Sequence, residues 1–283
     1  MSKKIALLLS AILGAAGIIL VVVGGILGVA TGEGSGLISR SVDNMSFRIG
    51  SLHIGIGGFG FWDDSENTSE SLAGGKQYTD VSAISLDLDG MSVMMQSAPG
   101  DAVTITADAE IENYLRADWD GYELHIEKED GYQSWGKFGK INITVPENQT
   151  FDEIEISMDA GNLTADSFKT EYLDLTMDGG AFTGTGKIIA GDVEGSADAG
   201  SVTFENLDTE YLDLSCDSGS FSAGLAGARR DYNLYLMSDL GSIRCGDSEM
   251  NDLENSLNEM HDEAEREITV NADMGSIEIS FQK

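Results

Sequence analysis

The sequence predicts an all-β protein, a single-stranded β-solenoid or β-roll with turns of about 20 residues. One short motif carries this prediction: Asp-x-Gly, then a small or polar residue, then an apolar one. Repeats of this length are typical of solenoids, because one copy cannot bury its apolar face without neighbours. The motif occurs six times, with aspartates at Asp159, Asp178, Asp198, Asp217, Asp239 and Asp273.

Apolar and polar residues alternate on both sides of each motif. Leu173 and Leu175 precede one aspartate, Leu212 and Leu214 precede another, and alternation resumes after the glycine. A period of two indicates strands with one face inward, so each repeat is predicted to be strand, bend and strand. The sequence TEYLDL stands at both 170–175 and 209–214, which favours stacking in register.

Composition agrees with a turn-rich β protein and excludes several partners. The 283 residues include 35 glycines and only 2 prolines, and the net charge is −33. Because Lys3 and Lys4 precede the first acidic residue, Glu33, the rest of the chain is more acidic still. Such a surface repels nucleic acid and anionic lipid.

Residues 5–30 are uncharged and long enough to cross a bilayer as a helix. The alternative is a cleaved signal peptide, but its apolar core would be unusually long, which favours a retained anchor. Basic residues before the span and an acidic one after it place the N-terminus in the cytoplasm and the rest outside the cell. Small residues share one helix face, so a homodimer through this face is a further hypothesis, beside the ordinary abundance of glycine in membrane helices.

The rest of the chain divides by composition. Residues 31–78 are interpreted as a Gly-, Ser- and acid-rich tether, and 79–283 as the β-solenoid. Within the solenoid, residues 79–150 form degenerate turns of an N-terminal cap, and 151–283 carry the repeats.

One repeat step is much longer than the others. Residues 247–267 within it are predicted to form a short acidic amphipathic helix laid on the solenoid. The apolar residues there recur at steps of three and four, as in a helix, and Asn251 with Glu254 resembles a capping box. The stripe consists of Met250, Leu253, Leu257, Met260 and Ala264.

No residue is assigned to a catalytic, cofactor-binding or metal site. His53, His125 and His261 share no spacing, and none falls near the repeat core as a Ser–His–Asp triad would require. The glycines at 55, 57 and 60 match the letters of a dinucleotide fingerprint without the helix that it needs. The chain is therefore expected to be non-catalytic and to need no cofactor.

The row of aspartates is the one notable constellation. It is interpreted as one bend-closing residue per turn, because an Asp side chain can bond its own backbone two residues on. Calcium binding and polysaccharide cleavage are the alternatives, since both use carboxylates. Cys216 and Cys245 both fall on inward positions. Two buried thiols are favoured over a disulfide, and the sequence leaves their pairing open.

At its Asp-x-Gly turns the chain resembles the bacterial "putative adhesin" family of β-strand-repeat domains, a domain of unknown function. The resemblance covers residues 79–283 and includes Val145-Pro146, Asp231-Tyr232 and the closing GSIEISF. It implies a β-solenoid at the cell envelope behind a membrane anchor, with no catalytic residues to carry over.

Two functions follow as expectations. The first is a surface module that binds a cell-surface glycan or protein, as the resemblance implies. The alternative is an accessory or regulatory protein of an envelope-stress response that acts through membrane partners. A polysaccharide-active β-helix enzyme is a more distant alternative.

Overall fold

The computed structural model describes residues 46–49, 52–55, 70–72, 74–129 and 139–282. The chain forms two compact units, Met1–Ser65 and Glu66–Lys283. In the first unit, strands β1 and β2 form an antiparallel hairpin. In the second, the buried apolar core runs from Leu72 to Ile279, so this domain carries a core of its own.

The described residues form strands joined by bends, with single 3-10 turns at Glu112–Tyr114 and Arg229–Asp231 and no α-helix. The strands are β1 Ser46–Ile49, β2 Leu52–Gly55, β3 Glu70–Ser71, β4 Lys76–Thr79, β5 Ala83–Asp87, β6 Met91–Ala98, β7 Ala102–Ala107, β8 Leu115–Trp119, β9 Glu123–Lys128, β10 Gly139–Pro146, β11 Phe151–Met158, β12 Gly161–Ala165, β13 Phe168–Met177, β14 Ala181–Ala197, β15 Ser201–Cys216, β16 Ser220–Ala226, β17 Tyr232–Ser238, β18 Ser242–Cys245, β19 Ser248–Met250, β20 Asn255–Glu259, β21 Arg266–Ala272 and β22 Ser276–Gln282.

The domain is a stack of layers, and each layer gives one strand to each of two broad sheet faces. We call these faces sheet I and sheet II. Sheet I runs in the order β3, β8, β9, β5, β11, β13, β14, β15, β21, β17, β20. Sheet II runs β4, β7, β10, β6, β12, β14, β15, β16, β22, β18, β19. The long strands β14 and β15 pass through both.

The layers do not stack in chain order. The first layer, β5 with β6, lies between the layer of β9 and β10 and that of β11 and β12. At the other end the last layer, β21 with β22, is inserted between the layer of β15 and β16 and that of β17 and β18. In a stack that followed chain order, this last layer would lie at the end. Instead, the chain leaves a slot and returns to fill it.

The ladders confirm the expected all-β class and the in-register stacking. Thr170 pairs with Ala190 and Ala190 with Thr209, so the two copies of TEYLDL align two layers apart. Leu173, Leu175, Leu212 and Leu214 are all buried, as the alternation predicts. Three phenylalanines stack through the middle of the core, with ring centroids 5.1 Å apart for Phe182–Phe204 and 6.4 Å for Phe204–Phe221.

The helix expected over residues 247–267 is absent, and the prediction was wrong. The segment provides β19, which pairs antiparallel with β18, and β20, which pairs antiparallel with β17. The apolar stripe is split: Met250 and Leu257 pack on the core, whereas Leu253 and Met260 are 77% and 71% exposed. The end of each sheet offers backbone groups that an edge strand can bond, and this tertiary pairing overrides the weak helical period.

The residues of the expected capping box make other contacts. Asn251 donates a hydrogen bond to Glu249 at 3.0 Å. The expected membrane anchor at residues 5–30 lies outside the described residues. Within the described part of the chain, no helix is both long and apolar enough to span a membrane.

Candidate functional site

The outer surface of sheet I carries two adjacent columns of side chains that cross four neighbouring strands, β11, β13, β14 and β15. One column is acidic throughout, and the other alternates acid with tyrosine. Neighbouring strands lie about 4.8 Å apart, so side chains in a column are in close reach of one another. We call these eight residues the acidic face: Glu155, Asp174, Glu194 and Asp213 in the first column, and Glu153, Tyr172, Asp192 and Tyr211 in the second.

Carboxyl groups on the acidic face have raised pKa values. Partial burial and the carboxylates of Glu155 and Glu194 raise the pKa of Asp174 above its usual value of 3.8. Partial burial and Glu155 likewise raise the pKa of Glu153. These carboxylates favour proton uptake, so a bound cation would relieve the same repulsion.

Two tyrosines give the acidic face an aromatic component. Tyr172 is 46% exposed, and Tyr211 donates a hydrogen bond to Asp213 at 3.4 Å. Beside the first column, on the side away from the tyrosines, lies a shallow open recess lined by Glu194, Gly195, Asp213 and Ser215. Aromatic rings beside carboxylates are suited to ammonium and guanidinium groups, which both kinds of side chain attract.

The opposite surface, on sheet II, is chemically different. There the corresponding columns carry small polar residues in the same four layers, and we call this the hydroxyl face. Its residues are Asn162, Ala181, Ser201 and Ser220 in one column, and Thr164, Thr183, Thr203 and Ser222 in the other. The charge of these layers is therefore concentrated on one of the two broad faces.

A polar network across β9, β5 and β11 of sheet I brings one histidine next to a serine, which the sequence did not suggest. His125 Nδ1 lies 3.1 Å from Ser85 Oγ, and His125 Nε2 lies 3.6 Å from Glu127. Ser85, however, is buried, and its hydroxyl donates to Glu155 at 3.0 Å. A nucleophilic serine needs an accessible oxygen that gives its proton to the base. This geometry favours a structural network instead.

His261, the other histidine whose side chain is described, lies apart from this network. The side chain of His53 lies outside the described part of the structure. His261 follows β20, with its Nε2 3.8 Å from Glu259. The signal that could have found the His125 contact is register, because His125 pairs with Ser85 across β9 and β5.

The repeat aspartates do form a row, but the bends are held in another way than expected. The order along the stack is Asp89, Asp159, Asp178, Asp198, Asp217, Asp273 and Asp239. Backbone amides of one bend donate to carbonyls of the next, as from Ser218 to Asp198 at 2.7 Å and from Met274 to Asp217 at 2.7 Å. The bends therefore continue the ladders around the corner, and the six repeat aspartates lie at the surface.

A calcium site in this row is not supported by the side-chain geometry. Within the described residues, no group of three or more His, Cys, Asp or Glu side chains could hold a metal ion. Asp89 and Asp178 act on Asp159 from the two sides, and Asp89 is the main cause that raises the pKa of Asp159. That calcium is dispensable for folding stays a prediction.

The two cysteines are free and buried. Cys216 ends β15 in sheet I, whereas Cys245 ends β18 in sheet II, two layers away. Burial, and secondly Asp217, raises the pKa of the Cys216 thiol to about 11. Both residues therefore behave as core packing groups and not as nucleophiles.

The layered strands, the bend motif and the exposed faces define a β-strand-repeat domain. The chain belongs to the family Toastrack DUF4097, whose model matches residues 81–283. The resemblance expected from the Asp-x-Gly turns is thereby confirmed. Among curated proteins, none matches this sequence.

Several solved structures are similar to the chain. A "putative cell adhesion protein" from Clostridium sporogenes shares 12% identity with a TM-score of 0.42, over 74% of this chain and 99% of that one. A "putative adhesin" from Bacteroides fragilis shares 14% identity with a TM-score of 0.34, over 72% and 95%. A "putative adhesin" from Parabacteroides merdae shares 11% identity with a TM-score of 0.34, over 72% and 95%. Because these identities are low and the TM-scores lie below 0.5, the similarities support no functional assignment.

Proposed function

We propose that the protein is a non-catalytic binding module of the cell envelope that holds a basic protein segment on its acidic face. Residues 5–30 would anchor it in the membrane with the N-terminus in the cytoplasm, so that the domain is displayed outside. The observation that carries the proposal is the acidic face itself: six carboxylates and two tyrosines in two registered columns.

Charge and rigidity both support this use of the face. Burial, and secondly the carboxylates of Glu155 and Glu194, raise the pKa of Asp174, and the ladders prevent these carboxylates from moving apart. A ligand with lysine or arginine side chains gains these contacts without reorganising the sheet, and its cationic groups can also lie on the exposed ring of Tyr172 and the half-buried ring of Tyr211.

The experiment compares two variants of the domain 66–283 that each lose four charges. The site variant is Glu155→Gln, Asp174→Asn, Glu194→Gln and Asp213→Asn. The control variant is Asp159→Asn, Asp178→Asn, Asp198→Asn and Asp217→Asn, which removes the bend aspartates that follow the same four strands. The probes are an oligolysine peptide, an oligoglutamate peptide and an array of cell-surface glycans.

We expect salt-sensitive binding of oligolysine that falls by about tenfold or more in the site variant and much less in the control variant. An equal loss in both variants would mean that net charge alone attracts the peptide, and would contradict a specific face. Binding of a neutral glycan without binding of oligolysine would replace the basic ligand with a carbohydrate.

A further inference from the structure

The exposed aliphatic side chains of the domain are concentrated at one end of the stack, whereas the exposed Tyr114, Trp119 and Tyr122 lie near the other end. Six large aliphatic side chains are exposed among the described residues, and of these only Met94 lies away from that end. The other five are Met237, Leu240, Leu253, Met260 and Met274. They belong to the last layers, built by β21, β17 and β20, so this end differs from the polar body of the domain.

At the same end, β20 is the edge strand of sheet I. It pairs with β17, and no other described strand pairs with it. Alternate N–H and C=O groups of an edge strand point away from the sheet and can bond another strand. The other edge strands are shorter: β3 has two residues, β4 four and β19 three, whereas β20 has five.

The charge that would protect this edge is neutralised. Glu259 is the one charged residue in β20, and Arg229 binds it through two bonds of 2.8 and 2.5 Å. These bonds, before all other causes, lower the pKa of Glu259. The strand thus offers Asn255, Ser256, Leu257 and Asn258 as a neutral edge, although free edges are usually guarded by a charge or a proline.

We propose that β20 pairs antiparallel with β20 of a second copy of this chain, joining two stacks end to end around a two-fold axis. With Leu257 opposite Leu257 of the second copy, Asn255 faces Glu259 and Ser256 faces Asn258, so no like charges oppose each other within the five paired positions. Asp252 and Asp262, which this register would bring opposite each other, lie outside the strand. In the same register, Leu253 and Met260 lie just outside the two ends of the paired segment, so these exposed apolar side chains flank the interface.

This arrangement is self-complementary, as a two-fold interface requires. The partly buried Leu257 packs on the core of its own stack, so pairing it with itself continues that core across the axis. The proposal is independent of the acidic face, which lies on the strands of the middle layers. Both copies are strongly acidic, so association should strengthen when salt screens their repulsion.

The test measures the mass of the domain 66–283 by light scattering and sedimentation as concentration rises. Ser256→Lys with Asn258→Lys places two like charges on the edge, at exposed positions of β20. The matched control, Ser215→Lys with Asn271→Lys, makes the same substitutions at exposed positions of the interior strands β15 and β21. A thermal melt of each variant verifies that it is folded.

We expect the wild type and the control variant to reach twice the monomer mass, more readily at higher salt, and the edge variant to stay monomeric. Amides of residues 255–259 should become more protected from hydrogen exchange as the wild type is concentrated. A monomeric wild type at high salt and high concentration would overturn the proposal. So would equal dissociation of the two lysine variants, or protection that appears elsewhere in the domain.

Discussion

At the scale of single residues, the bend glycines show why a correct motif can have an incomplete explanation. Glycine was expected at these positions because bends favour a backbone conformation that side chains resist. Only Gly161 among the six repeat glycines has a positive φ, of 122°. At the others, the backbone of the neighbouring layer lies where a Cβ would be. A Cβ on Gly180 would lie 2.8 Å from Gly161 O, and one on Gly200 would lie 2.6 Å from Gly180 O.

Gly219 provides a test of this explanation. A Cβ there would lie 2.5 Å from Gly200 O and 3.0 Å from Ala197 O, both of which are backbone atoms held in the ladder. We expect Gly219→Ala to lower the free energy of unfolding by about 1–3 kcal/mol, because the layers must separate locally. The measurement is a denaturant midpoint for the domain 66–283.

The neighbouring Ser218 supplies the control, since it is exposed in the same bend. Ser218→Ala should change stability by no more than about 0.5 kcal/mol. If Gly219→Ala is equally mild, close approach between layers does not explain the glycine column.

At the scale of elements, the sequence predicts the strands and their inward faces but not their neighbours. Alternation around Leu173 and Leu212 suffices to say which side chains are buried, because a strand has a period of two. The stacking order is not encoded in that pattern, since every layer has the same profile and could lie on any other. The inserted last layer therefore appears only in the structure.

The acidic face was missed for the same reason. The alternation alone indicates that Asp174 and Asp213 point outward. That Asp174 lies between Glu155 and Glu194, and Asp213 beside Glu194, depends on the register between distant segments. The aspartates of the bends, in contrast, can be recognised from the sequence because they recur at the same position of each motif. The helix prediction for residues 247–267 was wrong for a different reason. The helical period is present in the sequence, but the segment pairs with the open edges of the two sheets as strands β19 and β20.

The inserted layer leads to a prediction about the end of the chain. Deletion of residues 266–283 removes β21 and β22, which separate β15 and β16 from β17 and β18. If the stack followed chain order, this deletion would remove only its last layer. In the observed order it opens a slot inside the stack, so β17 and β18 lose their pairing with β21 and β22 and keep only β20 and β19.

Hydrogen exchange and limited proteolysis of the truncated domain distinguish the two orders. We expect protection to disappear over residues 227–265 while the layers of β11 to β14 remain protected, because stability in a stacked domain depends on nearest neighbours. Retained protection of β17 and β18 after the truncation would contradict the inserted position of the last layer.

At the scale of the whole molecule, the dominant quantity is the net charge of −33. The acidic face concentrates this charge. The raised pKa values of its carboxyl groups mean that keeping them ionised in the folded state lowers stability. Glu153 and Asp174 have a raised pKa in the folded state, chiefly through burial and then through neighbouring carboxylates. Asp192 is shifted in the same direction by burial and by Glu210.

A raised carboxyl pKa means that the folded state holds the proton more tightly than the unfolded chain does. The penalty is absent below the ordinary values of 3.8 for Asp and 4.5 for Glu, and it is complete above the raised values. Glu249 and Glu259 have a lowered pKa, so their stabilising contribution is lost only when the pH falls below about 4.5. Between neutral pH and that point, the shifted carboxyls that begin to take up protons are those with a raised pKa.

We therefore expect the Tm of the domain 66–283 to rise as the pH is lowered from 7 to about 5, and to rise at pH 7 when salt is added. Asp174→Asn should raise the Tm at pH 7 and weaken its dependence on pH, because the amide carries no charge at either value. Scanning calorimetry over this range, at low and high salt, measures all three effects. A Tm that falls steadily from pH 7 to 5 would show that lost ion pairs outweigh the relief of repulsion, and the acidic face would then not be electrostatically strained.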